Sequence, residues 1–382
     1  MSASDAHPLF QPLTIGPVTL PNRIVQAPCT RDRADNDDDR VPTLPRMADH
    51  YAMRAKHEFG LLIAEATLVS RDGAGYICTP GIYSPEQIEA WKAITQACRE
   101  ANPRVPFFCQ LWHCGRHSHR LFQADGELPV APSAIPIGGK DEKLVPGWKK
   151  VPYEAPREAT LEEMRGFPAV FAAAARNSIE AGFDGVEIHS ANGYLLDQAL
   201  RDGSNQRTDE YGGSIENRAR LLLETTVAVI EAVGDSKRVG VRLSPAGLNG
   251  DMTDSNPVAL FSYVMTELDK LNLGYIHFNE EKPDDVEFDF AHLAGQAPNT
   301  PIIACFRYDL DRATKTLKAS GGYADAIAWG QWQVANPDLP IRFRRAIDSG
   351  EEPVLNPIDW PTVFAEGDEG YNTYPTLDEA TE

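Results

Sequence analysis

Residues 185–194 read GVEIHSANGY. Val186, Glu187 and Ile188 are a short β-prone run. The run follows AGFDG, a glycine-containing break at the end of a helical pattern, and stops at His189-Ser190-Ala191-Asn192-Gly193-Tyr194. A buried strand thus delivers a His, an Asn and a Tyr to a loop at its carboxyl end. In a parallel α/β barrel, the carboxyl ends of the strands face the active site. His189 and Asn192 offer donors for one substrate oxygen, and Tyr194 offers a weak acid close by. A second reading stays open at this point. His189 and Asn192 would satisfy loop backbone groups, and Tyr194 would be core.

Outward from this strand, the chain alternates apolar runs with helical patterns. Strands are expected over 23–31, 60–69, 106–113, 185–190, 238–245, 275–280, 301–308 and 326–331. Helices are expected over 42–57, 214–233, 257–271, 309–319 and 337–347. Two more helices announce their starts with capping boxes, Ser84-Pro85-Glu86-Gln87 and Thr160-Leu161-Glu162-Glu163. Pro168 is a possible kink in the second. Eight strands alternating with helices predict one (β/α)8 TIM barrel domain spanning residues 1–382. A Pro- and Gly-rich insertion over 115–158 is too long for a turn and reads as a flap or hairpin over the barrel mouth. The acidic, aromatic tail over 351–382 is expected to pack back on the barrel.

Composition excludes several classes. No run of 18 apolar residues is present, so no membrane span is expected, and the N-terminus shows no secretory pattern. The net charge of −20 argues against nucleic acid or an anionic membrane as partner. Acidic clusters such as 31–40 and 279–290 read as solvated loops. Six cysteines lack CxxC spacing, which points to a reduced, cytoplasmic protein without a metal site. A monomer or homodimer acting on a small molecule fits this picture.

Polar and cationic residues gather at the predicted strand ends, and the family resemblance given below implies that they serve a flavin. A flavin needs hydrogen bonds to its pyrimidine edge, a cation where charge builds on reduction, and a phosphate clamp. Thr30, Ala66, Gln110, His189 and Arg242 lie at the ends of the first five strands. An Arg ending a strand can equally be a salt-bridge residue.

HSANGYL followed by SNQRTDEYGGSIENRARL resembles the Old Yellow Enzyme family of FMN-dependent ene-reductases. The resemblance runs from LFQPLTIGPVTLPNRIVQAP to EGYNTYP, nearly the whole chain. It implies that Pro28 and Thr30 of APCTR touch the flavin, with a main-chain contact from Ala66 of EAT. It implies Gln110 of QLWHCGR at the pyrimidine edge and Trp112 on the substrate side. Arg242 of VRLSP would stabilise the reduced flavin. His189 and Asn192 would bind the substrate oxygen, His189 also beside the flavin, and Tyr194 would donate the proton. Tyr76 and Tyr371 match aromatic positions lining the pocket. Cys29, beside Thr30, reads as a small core residue.

Two departures fall on the phosphate clamp. The family's glycine-containing turn at strand seven is Ala304-Cys305-Phe306-Arg307-Tyr308 here, and its FGR at strand eight is Trp329-Gly330-Gln331. A glycine permits close backbone approach because it lacks a side chain. Arg307 is the candidate replacement cation, with Gly330 and Gln331 at the neighbouring strand end. The implied activity is reduction by NAD(P)H, through FMN, of the activated C=C bond of an α,β-unsaturated carbonyl compound. An alternative is a flavin-independent barrel that isomerises or cyclises an enone-like natural product. A third reading is a non-catalytic binding protein.

Overall fold

The computed structural model describes residues 2–35, 39–139 and 141–379. Eight parallel strands close into a barrel: β1 (Ile24–Gln26), β2 (Leu61–Leu68), β3 (Phe107–Trp112), β4 (Gly185–Ser190), β5 (Val239–Leu243), β6 (Tyr275–Asn279), β7 (Ile302–Cys305) and β8 (Ala326–Trp329). Each pairs with its chain neighbours, and β8 closes on β1 through Ile327 opposite Ile24. Every residue of the eight strands is buried. Apolar runs without alternation match this, since both faces of the strands are covered.

The local start signals act as read. Ser84 accepts from the Gln87 N–H and Gln87 reaches back, opening Pro85–Ala101. Thr160 and Glu163 do the same for Leu161–Glu180, which carries Pro168 within it. Ser214 caps Ile215–Val233, and Gly234 ends that helix in the left-handed region.

Three differences matter. The expected first strand is shorter, only Ile24–Gln26. The seventh stops at Cys305, because Phe306 and Arg307 adopt φ of 135° and 51°. A strand cannot continue through left-handed backbone. Ahead of the barrel, Leu13–Ile15 and Val18–Leu20 form an antiparallel hairpin that the strand pattern does not disclose. Its Ile15 and Leu20 join Val25, Leu61, Phe108 and Tyr275 in a core inside the barrel.

Residues 115–158 leave the barrel after β3. Val130–Ala131 pairs with Arg157–Glu158, and between them Glu142–Val145 pairs with Lys149–Pro152 as an antiparallel hairpin. Residue 140 of this insertion and residues 36–38 and 380–382 of the acidic loop and tail lie outside the described residues. Within the tail, Tyr371 is buried and stacks on His50 at 3.8 Å, while most of residues 351–379 are exposed or half-buried. Among the described residues no helix is long and apolar enough to cross a membrane.

Candidate active site

The β4 end is shaped by two consecutive left-handed residues, Asn192 (φ 58°) and Gly193 (φ 76°). A Cβ on Gly193 would lie 2.4 Å from the Asn249 carbonyl oxygen, so only glycine fits. Backbone bonds pin this turn. Asn192 N–H donates to Ser244 Oγ at 2.7 Å, and Gly193 N–H to Asp197 Oδ2 at 2.9 Å. Asp197 is itself fixed by Arg201 in a buried ion pair of 2.9 Å. Tyr194 is thereby turned back towards the barrel end.

The turn brings four expected residues together. The Tyr194 hydroxyl donates to Tyr76 Oη at 3.1 Å. Its ring stands edge-on to Trp112 at 5.0 Å and to His189 at 4.9 Å. Burial pushes the Tyr194 hydroxyl well up from its ordinary range, so it keeps its proton at neutral pH. Burial, then the charges of Arg242 and His277, hold His189 well below the ordinary imidazole value. His189 is therefore neutral, with one N–H to give, and its buried Nδ1 has no protein partner.

Gln110 and Arg242 face the same interior. Gln110 donates to Glu187 at 2.7 Å, and Glu187 also meets His277 Nδ1 at 2.8 Å. Burial works against the Glu187 charge, but His277, Arg242 and Gln110 together hold its carboxyl below the ordinary value. Glu187 thus orients the Gln110 amide and leaves the Gln110 carbonyl free to accept. Arg242 is buried, with its Nε unpartnered. Ala66 sits opposite Gln110 in register. Pro28 is buried just past β1, with Cys29 and Thr30 half-buried beside it.

Beyond Arg242 lies a cavity of about 160 Å³, lined by Asn279, Phe306, Arg307, Gly330 and Gln331 among others. Arg307 stacks over the Phe306 ring at 5.0 Å and has no carboxylate partner among the described residues. Arg312 holds the loop, donating to the Phe306 carbonyl at 2.9 Å while paired to Glu280 at 2.9 Å. The glycine-type backbone persists here with side chains on it, at a cost of about 1–2 kcal/mol per residue. Tyr371 makes its contacts in another cluster, stacked on His50 with Arg31 and Arg33 over its ring at 5.1 and 5.0 Å.

Sequence reading missed Asn279, Glu187 and His277. Asn279 donates to Asn192 Oδ1 at 2.8 Å, which turns the Asn192 amide so that its NH2 is presented. The available signal was polar residues inside apolar strands, GVEIH and YIHFN. Among the described residues, no group of three or more His, Cys, Asp or Glu could hold a metal ion.

Comparison with known proteins agrees with this geometry. Residues 8–349 match the NADH:flavin oxidoreductase / NADH oxidase family. The chain is 41% identical to 12-oxophytodienoate reductase 1 of Oryza sativa subsp. japonica, covering 100% of this chain and 96% of that one. It superposes on the old yellow enzyme from Trypanosoma cruzi with a TM-score of 0.89 at 36% identity, covering 97% and 99% of the two chains. It superposes on morphinone reductase in complex with tetrahydroNAD with a TM-score of 0.87 at 39% identity, covering 98% and 99%. With barrel, strand-end residues and relatives in agreement, the chain belongs to the NADH:flavin oxidoreductase / NADH oxidase family, that of the Old Yellow Enzyme.

Proposed function

We infer that the protein is an ene-reductase, reducing the activated C=C bond of α,β-unsaturated carbonyl compounds with NAD(P)H and FMN. When bound, FMN supplies the hydride chemistry, accepting from the nicotinamide and giving to the substrate β-carbon. The residues present fit that group. The buried Arg242 Nε and His189 Nδ1, without partners among the described residues, call for a polar ligand, and the adjoining cavity is lined at its outer side by the exposed Arg307. Gln110 and Ala66 would serve the ring, with Pro28 and Thr30 alongside, and Arg242 would balance the charge of the reduced state.

The chain's own part is to hold the substrate and its proton. His189 and Asn192 each give one N–H to the carbonyl oxygen, and the β-carbon becomes electrophilic. Tyr194 holds the proton destined for the α-carbon. Trp112 and Tyr76 confine the substrate beside it, and residues 115–158 act as a flap. The observation that carries this reading is the convergence of Tyr194 on both His189 and Tyr76 at one barrel end. The test is NAD(P)H oxidation dependent on 2-cyclohexenone, together with the visible spectrum. A colourless protein that turns over an enone without NAD(P)H would establish the isomerase or cyclase reading instead. Six cysteines outside any disulfide, five of them buried, support a reducing compartment such as the cytoplasm.

At the phosphate end, Arg307 takes the cation's role, with Gly330 and Gln331 beside it. Arg307→Ala should weaken FMN binding by about 10- to 100-fold, as for loss of a charged hydrogen bond. Riboflavin, which lacks the phosphate, should bind the variant as it binds the parent. Gln331→Arg should restore part of the loss. Titration by flavin fluorescence reads both ligands, and equal weakening of both would remove Arg307 from the phosphate. Asn279→Ala should cost about two- to tenfold in kcat/KM for 2-cyclohexenone, the worth of one neutral hydrogen bond. No change would show that Asn192 needs no orienting partner.

A further inference from the structure

The inserted hairpin carries one inward-facing lysine. Along Glu142–Val145, Glu142 points out and Lys143 and Val145 point in. Lys143 is only 3% exposed. Its ammonium lies 3.3 Å from the centroid of the Tyr76 ring, with the Phe122 and Tyr153 rings at 5.8 and 5.9 Å. Among the described residues its ammonium meets these ring faces, and no carboxylate lies within ion-pair distance of it.

That placement is unusual on physical grounds. A lysine that merely packs lets its stem cover apolar surface and returns the ammonium to water. Lys143 instead ends inside an aromatic cage. Ring faces recover only part of the cost of burying a charge. Asp32 is near enough to be felt, but burial and then the Glu65 charge raise its carboxyl to about 7. It is a weak counter-charge at neutral pH. Burial likewise brings Lys143 down to about 7, with Cys114 and Asp32 opposing that fall. The group that would restore its full charge is an anion brought in from outside.

The cage adjoins the reaction site. Tyr76, beneath Lys143, accepts the Tyr194 hydroxyl at 3.1 Å. Tyr153, the residue after that hairpin, reaches His117 Nδ1 at 3.5 Å, and His117 packs edge-on to Tyr194 at 5.2 Å. Tyr76, Tyr153 and Tyr194 each stay partly exposed, so a ligand can reach this wall. We propose that Lys143 is a specificity-determining residue that pairs with a carboxylate carried on a side chain of the enone substrate. The proposal rests on the ene-reductase reading for its site, and its cation is independent of the oxygen-binding pair.

The experiment compares a cyclohexenone bearing a carboxyalkyl side chain with its methyl ester, using the FMN-loaded enzyme and NADPH. The parent should prefer the acid, with the preference lying in KM. Lys143→Met keeps an unbranched apolar side chain and removes the charge. It should cut the acid-to-ester ratio of kcat/KM by roughly 10- to 100-fold, the worth of a charge-assisted hydrogen bond. Lys143→Gln gives the same comparison if the Met variant is insoluble. A parent without preference for the acid, or a preference that survives both substitutions, overturns the proposal. Unsubstituted 2-cyclohexenone is run in parallel. If even that is not reduced, the ene-reductase reading fails, and calorimetric binding of the acid and the ester to parent and variant decides the role of Lys143.

Discussion

Tyr194→Phe is expected to slow oxidation of the reduced enzyme by 2-cyclohexenone by about 10²–10⁴-fold, the range for loss of a positioned general acid. Reduction by NAD(P)H should stay near its parent rate, because no proton from Tyr194 enters that half-reaction. The substitution removes one hydroxyl, and the ring contacts with Trp112, Tyr76 and His189 are available to Phe as well. Nitro compounds that need no α-carbon protonation should be less affected. The pH profile follows from the direction of the shift. The Tyr194 hydroxyl is raised above its ordinary value, so its protonated, competent form persists as pH rises. No alkaline loss from this group is expected below about pH 10. Stopped-flow traces of the two half-reactions decide the matter. Equal slowing of both would assign Tyr194 a structural role.

The paired change His189→Ala with Asn192→Ala is expected to cost about 2.7–4 kcal/mol of transition-state stabilisation, a loss of 10²–10³ in kcat. Each residue contributes a neutral donor. His189 has no charge to lend, since burial and Arg242 keep it unprotonated. Asn192 gives its NH2 because Asn279 holds its oxygen. Reduction by NAD(P)H should also slow if the nicotinamide carboxamide uses the same pair. Ala at position 192 must sustain a φ of 58°. That strain is worth about 1–2 kcal/mol of stability, so a thermal melt belongs beside the kinetics. A folded double variant with parent turnover would refute the oxygen-binding assignment.

Much of this architecture is readable from local signals. Apolar runs without alternation mark strands covered on both faces. The Ser84 and Thr160 capping boxes mark helix starts, because a cap is satisfied within four residues. His189 and Arg242 are legible as the penultimate residues of β4 and β5, Gln110 as a polar residue within β3, and Tyr194 as part of the loop that follows β4. What stays hidden depends on register and on distant contacts. Gln110 meets Glu187, and Arg242 lies opposite both His189 and His277, only because three barrel pairs align so. The amide of Asn192 is turned by a residue 87 positions away. The early end of β7 defeats propensity outright, since Phe306 and Arg307 read as continuing strand yet adopt left-handed backbone. Lys143 looks like one more solvated charge until the hairpin turns it inward.

Arg31 and Arg33 follow the first barrel strand, and both are buried. Their guanidiniums draw carbonyl acceptors from residues 362–370, although Arg31 Nη1 is left without a partner among the described residues. Arg31 donates to the carbonyls of Val363 and Gly370, and Arg33 to those of Thr362, Gly367 and Glu369. The separation reaches 339 residues. During synthesis, at 5–20 residues per second, roughly 20–70 s would pass between the emergence of these arginines and of the carbonyls they need. The opening segment must therefore keep two cations hydrated while the barrel grows around it. The segment over 362–370 acts as the latch, and these two arginines lock only after all eight barrel strands have emerged.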